Sequence, residues 1–265
     1  MKIGAHVKTS GGVDKAIDRA EAIGAETIQI FSGAPQAWRR KEYRPEEVEA
    51  YKTRVVETGI EPAFVHGVYL VNLATDIQDN LAKSLHALTH DMNVCHLLGA
   101  AGVIFHIGSH RGAGYDQVLR QVVESIGNVV EATPEDTWLI LENSAGMGGA
   151  IGSRFAELGG IIREAGSPRV KVCLDTQHMF AAGYDVRTKD GLEAAMSEFE
   201  AEVGLDRHEN IGEGHIGLDG FRSVMSHPAF KDVPFLLETP GFDKLGPDLR
   251  NVETLKSVRE KSGLS

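Results

Sequence analysis

Residues 101–142 read AGVIFHIGSHRGAGYDQVLRQVVESIGNVVEATPEDTWLILE. The first six, AGVIFH, and the last six, TWLILE, are short apolar runs rich in strand-forming residues. Between them, Val118, Val122, Ile126 and Val129 recur at helical spacing over 116–132. A strand, a helix and a second strand in that order make a parallel crossover unit, because parallel neighbours need a long connection.

The unit repeats outward in both directions. Strands are expected near 2–7 (KIGAHV), 26–31 (ETIQIF) and 62–66 (PAFVH) before it, and near 169–175 (RVKVCLD) and 233–238 (VPFLLE) after it. Helical patterns fall at 11–23, 45–58, 78–98, 153–165, 189–203 and 218–227. This alternation is the mark of an α/β fold with parallel strands. No Pro/Gly-rich linker divides the 265 residues. The expected architecture is therefore one TIM (β/α)8-type barrel domain over residues 1–265, a fold of ~250 residues.

One beat is absent. Strand starts fall 24, 36, 39, 36, 32 and then 64 residues apart. The last gap spans about two units of the repeat. A strand is due near 200–210, where EAEVGLDRHEN contains no apolar run of four. That strand is expected to be missing or degraded.

Composition narrows the classes. The formal net charge of −11 excludes a general electrostatic attraction to nucleic acid. A local basic patch, or bound metal cations, would have to supply it. The two cysteines, Cys95 and Cys173, sit in apolar stretches and read as buried free thiols. No run of ~18 apolar residues suggests a membrane span, and the first residues lack a signal-peptide core. The cytoplasm is the expected compartment.

Side chains alternate along a strand. His66 shares a face with Phe64, His106 with Ile104, Glu142 with Ile140, Asp175 with Cys173, and Glu238 with Leu236. Each run thus ends in a polar residue on the face of its apolar neighbour, and His6 ends the first run similarly. In a barrel these residues line the C-terminal rim, where active sites sit. Carboxylates alone would suit acid–base work. A mixed set of imidazoles and carboxylates without thiolate suits zinc or another divalent metal.

Asp175 has a second reading as the N-cap of a following helix; His178, three residues on, favours ligation. Asp206 and His208, in DRHENIGEGHIG, form an Asp-x-His pair that can hold a further metal. His86 and His90 are spaced to chelate on a helix. Helices form the outer ring of this fold, so both read as surface residues.

These motifs together resemble the endonuclease IV family of zinc-dependent apurinic/apyrimidinic endonucleases. The resemblance rests on GAHVKTSGG near the start, FVHGVYLVNLA at 64–74, FHIGSH at 105–110, LENSAGMGG at 141–149, CLDTQHMFAAGYD at 173–185, DRHENIGEGHIG at 206–217 and LLETP at 236–240. It implies a TIM barrel with up to three zinc ions, cleaving duplex DNA on the 5′ side of an abasic site. His66, His106 and Glu142 would hold one zinc, with Glu142 bridging to a second and acting as the catalytic carboxylate. Asp175 and Glu238 would serve the second zinc, and His178, Asp206 and His208 the third. Tyr69 is expected to wedge into the DNA stack, and Arg39, Arg40 and Lys41 to meet phosphates. A monomer is expected.

The sequence departs from the family in two places. The loop FSGAPQAWRRK lacks an arginine where many relatives carry a DNA-penetrating one. The strand missing near 200–210 is the one that carries a histidine ligand of the second zinc. His215 is a candidate replacement. Two rival readings are a divalent-metal sugar isomerase or epimerase of the same fold, and a protein that binds abasic DNA without cutting it. A closed sugar-sized pocket would favour the first, and binding without turnover the second.

Overall fold

The computed structural model describes residues 1–188, 190–192, 209–214, 216–227, 230 and 232–263. The stretch due to hold the strand near 200–210 lies almost wholly outside the described residues, as do Asp206, His208, His215 and most of the helix expected at 189–203. Among the described residues there are seven strands, all paired in parallel where the pairing is recorded. The chain divides into two compact units.

One unit comprises Met1–Ile30, Pro45–Ala63 and Gly183–Ser265. Its central strand, β1 (Ile3–His6), pairs on one side with β2 (Ile28–Phe31) and on the other with β7 (Phe235–Leu237). Gly4 lets β1 approach β2: a Cβ there would stand 2.0 Å from the Thr27 carbonyl oxygen. Helices α1 (Asp14–Ala22), α2 (Pro45–Thr58), α7 (Gly217–Ser226) and α8 (Leu249–Lys261) belong to this unit. Ile3 and Leu237 of the strands pack with Met225 of α7 and with Val252, Leu255 and Val258 of α8. The three α8 residues recur at i, i+3 and i+6, which gives that charged helix one apolar stripe.

The other unit comprises Phe31–Arg44 and Phe64–Ala182. It carries β3 (Ala63–His66), β4 (Gly102–His106), β5 (Trp138–Glu142) and β6 (Val170–Cys173), in the order β6-β5-β4-β3. Helices α3 (Gln78–Leu98), α4 (Tyr115–Glu131), α5 (Phe155–Ala165) and the short α6 (Thr176–Ala181) follow these strands in turn. Leu139, Ile140 and Leu141 of β5 are buried, each contributing ~1.5–3 kcal/mol of apolar burial. β4 and β5 run in step from Gly102 opposite Trp138 to His106 opposite Glu142. That register brings two of the polar strand ends level with each other.

β6 is shorter than the sequence suggests. The run to Asp175 stops at Cys173, because Asp175 leaves the ladder to cap α6. A six-residue helix offers too few apolar positions for periodicity to announce it. No helix among the described residues is long and apolar enough to cross a membrane.

Candidate metal centre

His66, His106 and Glu142 are the last residues of β3, β4 and β5. Their ligand atoms lie within 4.8 Å of one another, and those of Glu142, Asp175 and His178 do likewise. Glu142 belongs to both groups. Its Oε2 is 3.1 Å from His66 Nε2 and 3.7 Å from His106 Nδ1, while its Oε1 is 3.3 Å from His178 Nδ1. One carboxylate thus faces two imidazoles with one oxygen and a third with the other.

The centre is largely dry. His66, Glu142 and His178 are buried, and His106 is half-buried. Burial alone would raise the Glu142 carboxyl. His106, His178 and His66 outweigh it and hold the group well below the usual carboxylate range. Glu142 is therefore an anion at neutral pH, the form in which a carboxylate ligates a cation.

The donor chemistry fits a divalent ion. His66 donates from Nδ1 to the Gly67 carbonyl at 2.7 Å and turns Nε2 toward the Glu142 carboxylate. With a cation bound, a neutral imidazole would keep its one proton on Nδ1 and offer the Nε2 lone pair to the ion beside the anionic oxygen. Such a pair converges on a shared cation. Imidazole nitrogen and carboxylate oxygen are donors that zinc and related divalent ions accept.

Asp175 carries out the capping role and still joins a ligand group. Its Oδ1 accepts the His178 main-chain N–H at 2.8 Å, and its Oδ2 lies 3.9 Å from His178 Nδ1. Asn143, which sequence reasoning missed, organises this corner. Its side chain accepts from the Asp175 N–H at 2.5 Å and donates to the Asp175 carbonyl at 3.1 Å. Its own carbonyl accepts from His178 Nδ1 at 3.0 Å. An asparagine directly after a strand-end carboxylate was the available signal.

The remaining expected residues belong to neither donor group among the described residues. Glu238 follows β7 in the other unit, 3.3 Å from His6 Nδ1 and hydrogen-bonded by Gln29 Nε2. Asp206 and His208 lie outside the described residues. Tyr69 is half exposed, at 51%, and its ring stacks on His106 with centroids 6.1 Å apart. Arg39 is exposed.

Arg40 is not available to phosphate as expected. Its side chain is only 6% exposed and pairs with the buried Asp91. His86 is exposed, as the surface reading requires, but His90 is not a free surface residue. It donates from Nε2 to the Lys41 carbonyl at 3.0 Å and sets Nδ1 3.2 Å from Asp91 Oδ1.

A parallel α/β fold with histidines and carboxylates gathered at its strand ends defines a TIM-type protein with a candidate metal centre. Residues 17–261 match the Xylose isomerase-like TIM barrel family. The probable endonuclease 4 of Halothermothrix orenii is 37% identical, over 97% of this chain and 99% of its own. The crystal structure of endonuclease IV from Thermus thermophilus superposes with a TM-score of 0.84 at 31% identity, covering 98% of this chain and all of that one. A D-tagatose 3-epimerase-like protein reaches a TM-score of 0.72 at 15% identity, over 99% of this chain and 97% of its own, which is a likeness of fold alone. Within the TIM-barrel class, the chain belongs to the endonuclease IV family.

Proposed function

We propose that this protein is a DNA repair endonuclease that hydrolyses the phosphodiester 5′ to abasic sites in duplex DNA. The observation that carries the reading is the position of Glu142, shared by two donor groups on a chain that matches endonuclease IV over its whole length. The sugar epimerase alternative rests on a fold likeness only.

In this reading His66, His106 and Glu142 would hold one zinc, and Glu142 would be shared with a second that Asp175 also serves. His178, grouped with Glu142 and Asp175, would by the resemblance also serve a third ion with Asp206 and His208. Zinc held there would supply Lewis acidity for a phosphoryl displacement. The chain's own contribution is orientation. Asn143 fixes Asp175 and His178, and Gly67 fixes the tautomer of His66. Glu142 remains ionised because three histidines face it.

Tyr69, half exposed and stacked on His106, is positioned to meet an unstacked nucleotide. Arg39 and Lys41 are exposed on this loop and open to phosphate. The full-length match to endonuclease IV supports a single domain over residues 1–265.

The test is incision of a duplex carrying one abasic site, with zinc-loaded protein and with chelator-stripped protein. Zinc-dependent cleavage on the 5′ side is expected. Binding without cleavage, beside a family member that cuts in the same assay, would overturn the nuclease reading in favour of a binding protein.

A further inference from the structure

Residues 32–44 connect β2 to α2 without helix or strand. The segment is organised around Arg40. Its guanidinium donates to the carbonyls of Ala34 at 3.4 Å, Trp38 at 3.3 Å and Ala37, and pairs with Asp91 Oδ1 at 3.6 Å. Asp91, on α3, is fully buried. The same Oδ1 accepts from Ser32 Oγ at 2.5 Å. Its Oδ2 is buried and has no hydrogen-bond partner among the described residues. His90 ties the far side of the loop through the Lys41 carbonyl.

A carboxylate buried with one oxygen unsatisfied is costly to keep. The guanidinium and hydroxyl set against it, of Arg40 and Ser32, both come from the loop, so the arrangement gives the loop a single shape. That shape has a recipient. The Pro35 carbonyl accepts the Tyr69 N–H at 3.0 Å, and the Tyr69 ring meets Phe31 edge-on at 5.3 Å before stacking on His106.

We infer that Arg40 and Asp91 are positioning residues for Tyr69: they hold the 34–38 turn so that Pro35 fixes the aromatic beside the metal centre. Arg40 then acts on DNA through the loop and not by touching phosphate. The consequence for DNA rests on the endonuclease reading above; the effect on Tyr69 itself does not.

The experiment compares metal-loaded wild type with Arg40→Ala, Arg40→Lys and Asp91→Asn, each alone and in a Tyr69→Ala background. Two quantities are read: hydrogen exchange at the Tyr69 amide, and affinity for an abasic-analogue duplex with a non-hydrolysable 5′ linkage relative to an intact duplex. Lysine keeps the charge of Arg40 but lacks its planar fork. Both Arg40 variants and Asp91→Asn should therefore speed exchange at Tyr69 by about tenfold or more, with the backbone bond released. They should lower the abasic preference by about tenfold, a change of ~1.4 kcal/mol. In the Tyr69→Ala background the further loss should stay within about twofold, since residues in one chain of contacts are not additive.

Wild-type behaviour of Arg40→Lys, or a salt slope smaller by about one unit in Arg40→Ala, would show a direct phosphate contact and overturn the inference. Additive losses with Tyr69→Ala would overturn it as well. If wild type shows no abasic preference, the endonuclease reading fails, and exchange at Tyr69 alone decides the clamp.

Discussion

The side-chain amide of Asn143 bonds both main-chain groups of Asp175, accepting from its N–H and donating to its carbonyl. The main-chain ladder between β5 and β6 ends just before this point, with the Asn143 N–H on the Cys173 carbonyl at 3.2 Å. The amide thus extends the sheet by one rung where the backbone turns away. The same residue orients His178 through its own carbonyl. Asn143→Ala is expected to weaken the metal group of Glu142, Asp175 and His178 by about 10–100-fold, the usual cost of an outer orienting partner. Competition with a chromophoric chelator measures it; affinity unchanged within about twofold would show that the ligands hold their own orientation.

Glu142→Gln keeps the size of the side chain and one oxygen but removes the negative charge that two donor groups share. Metal content per chain should fall, and abasic-site incision should drop by more than about 100-fold, beyond the range of outer-shell changes. Full metal content by elemental analysis would show that the histidines suffice.

Glu26 offers a pH test far from the centre. It accepts the Ile3 N–H at 2.8 Å, Arg259 binds it at 3.1 Å, and Lys256 stands 3.7 Å away. Partial burial on its own would raise its carboxyl; the Ile3 N–H, Arg259 and Lys256 together hold it below the usual value near 4.5. A depressed native pKa means stability that is present above the unfolded value and lost as pH falls through the native one. Glu26→Gln should therefore lower the urea midpoint at neutral pH. Its gap from wild type should close on acidification below about 4.5. A gap constant across that range would show that the charge contributes nothing.

The thiols differ in reactivity. Burial, and secondarily the nearby Asp91, push the Cys95 thiol far up, whereas Cys173 is partly exposed. A thiolate-directed reagent should label Cys173 alone in the folded protein and Cys95 only on unfolding, because the thiolate is the reactive form. Labelling of Cys95 at the native rate of Cys173 would show that α3 opens readily.

Much of this was readable from the residues. Helices α2 and α3 lie where the apolar spacing put them, and each strand starts within two residues of its expected place. The convergence of His66, His106 and Glu142 followed from alternation alone, since each ends a strand of one parallel set. Other features had no local signal. α6 is too short to be periodic, and the apolar stripe of α8 is sparse among charges. Arg40 looked like a surface cation because its partner, Asp91, lies in a different segment, and pattern cannot reveal a buried long-range pair. Asn143 acts through hydrogen bonds, which leave no mark on hydropathy.

The pairing of β1 has a consequence for synthesis. Every member of the two ligand groups is present in the chain once residue 178 has been made. The first strand, by contrast, waits for β7 at 235–237 and for α8, whose Val252, Leu255 and Val258 cover Ile3. A ribosome that stalls between these points releases a chain able to capture metal while one edge of its oldest strand is bare. Unpaired edges template aggregation. Interrupted translation of this protein is therefore expected to sequester metal in insoluble material.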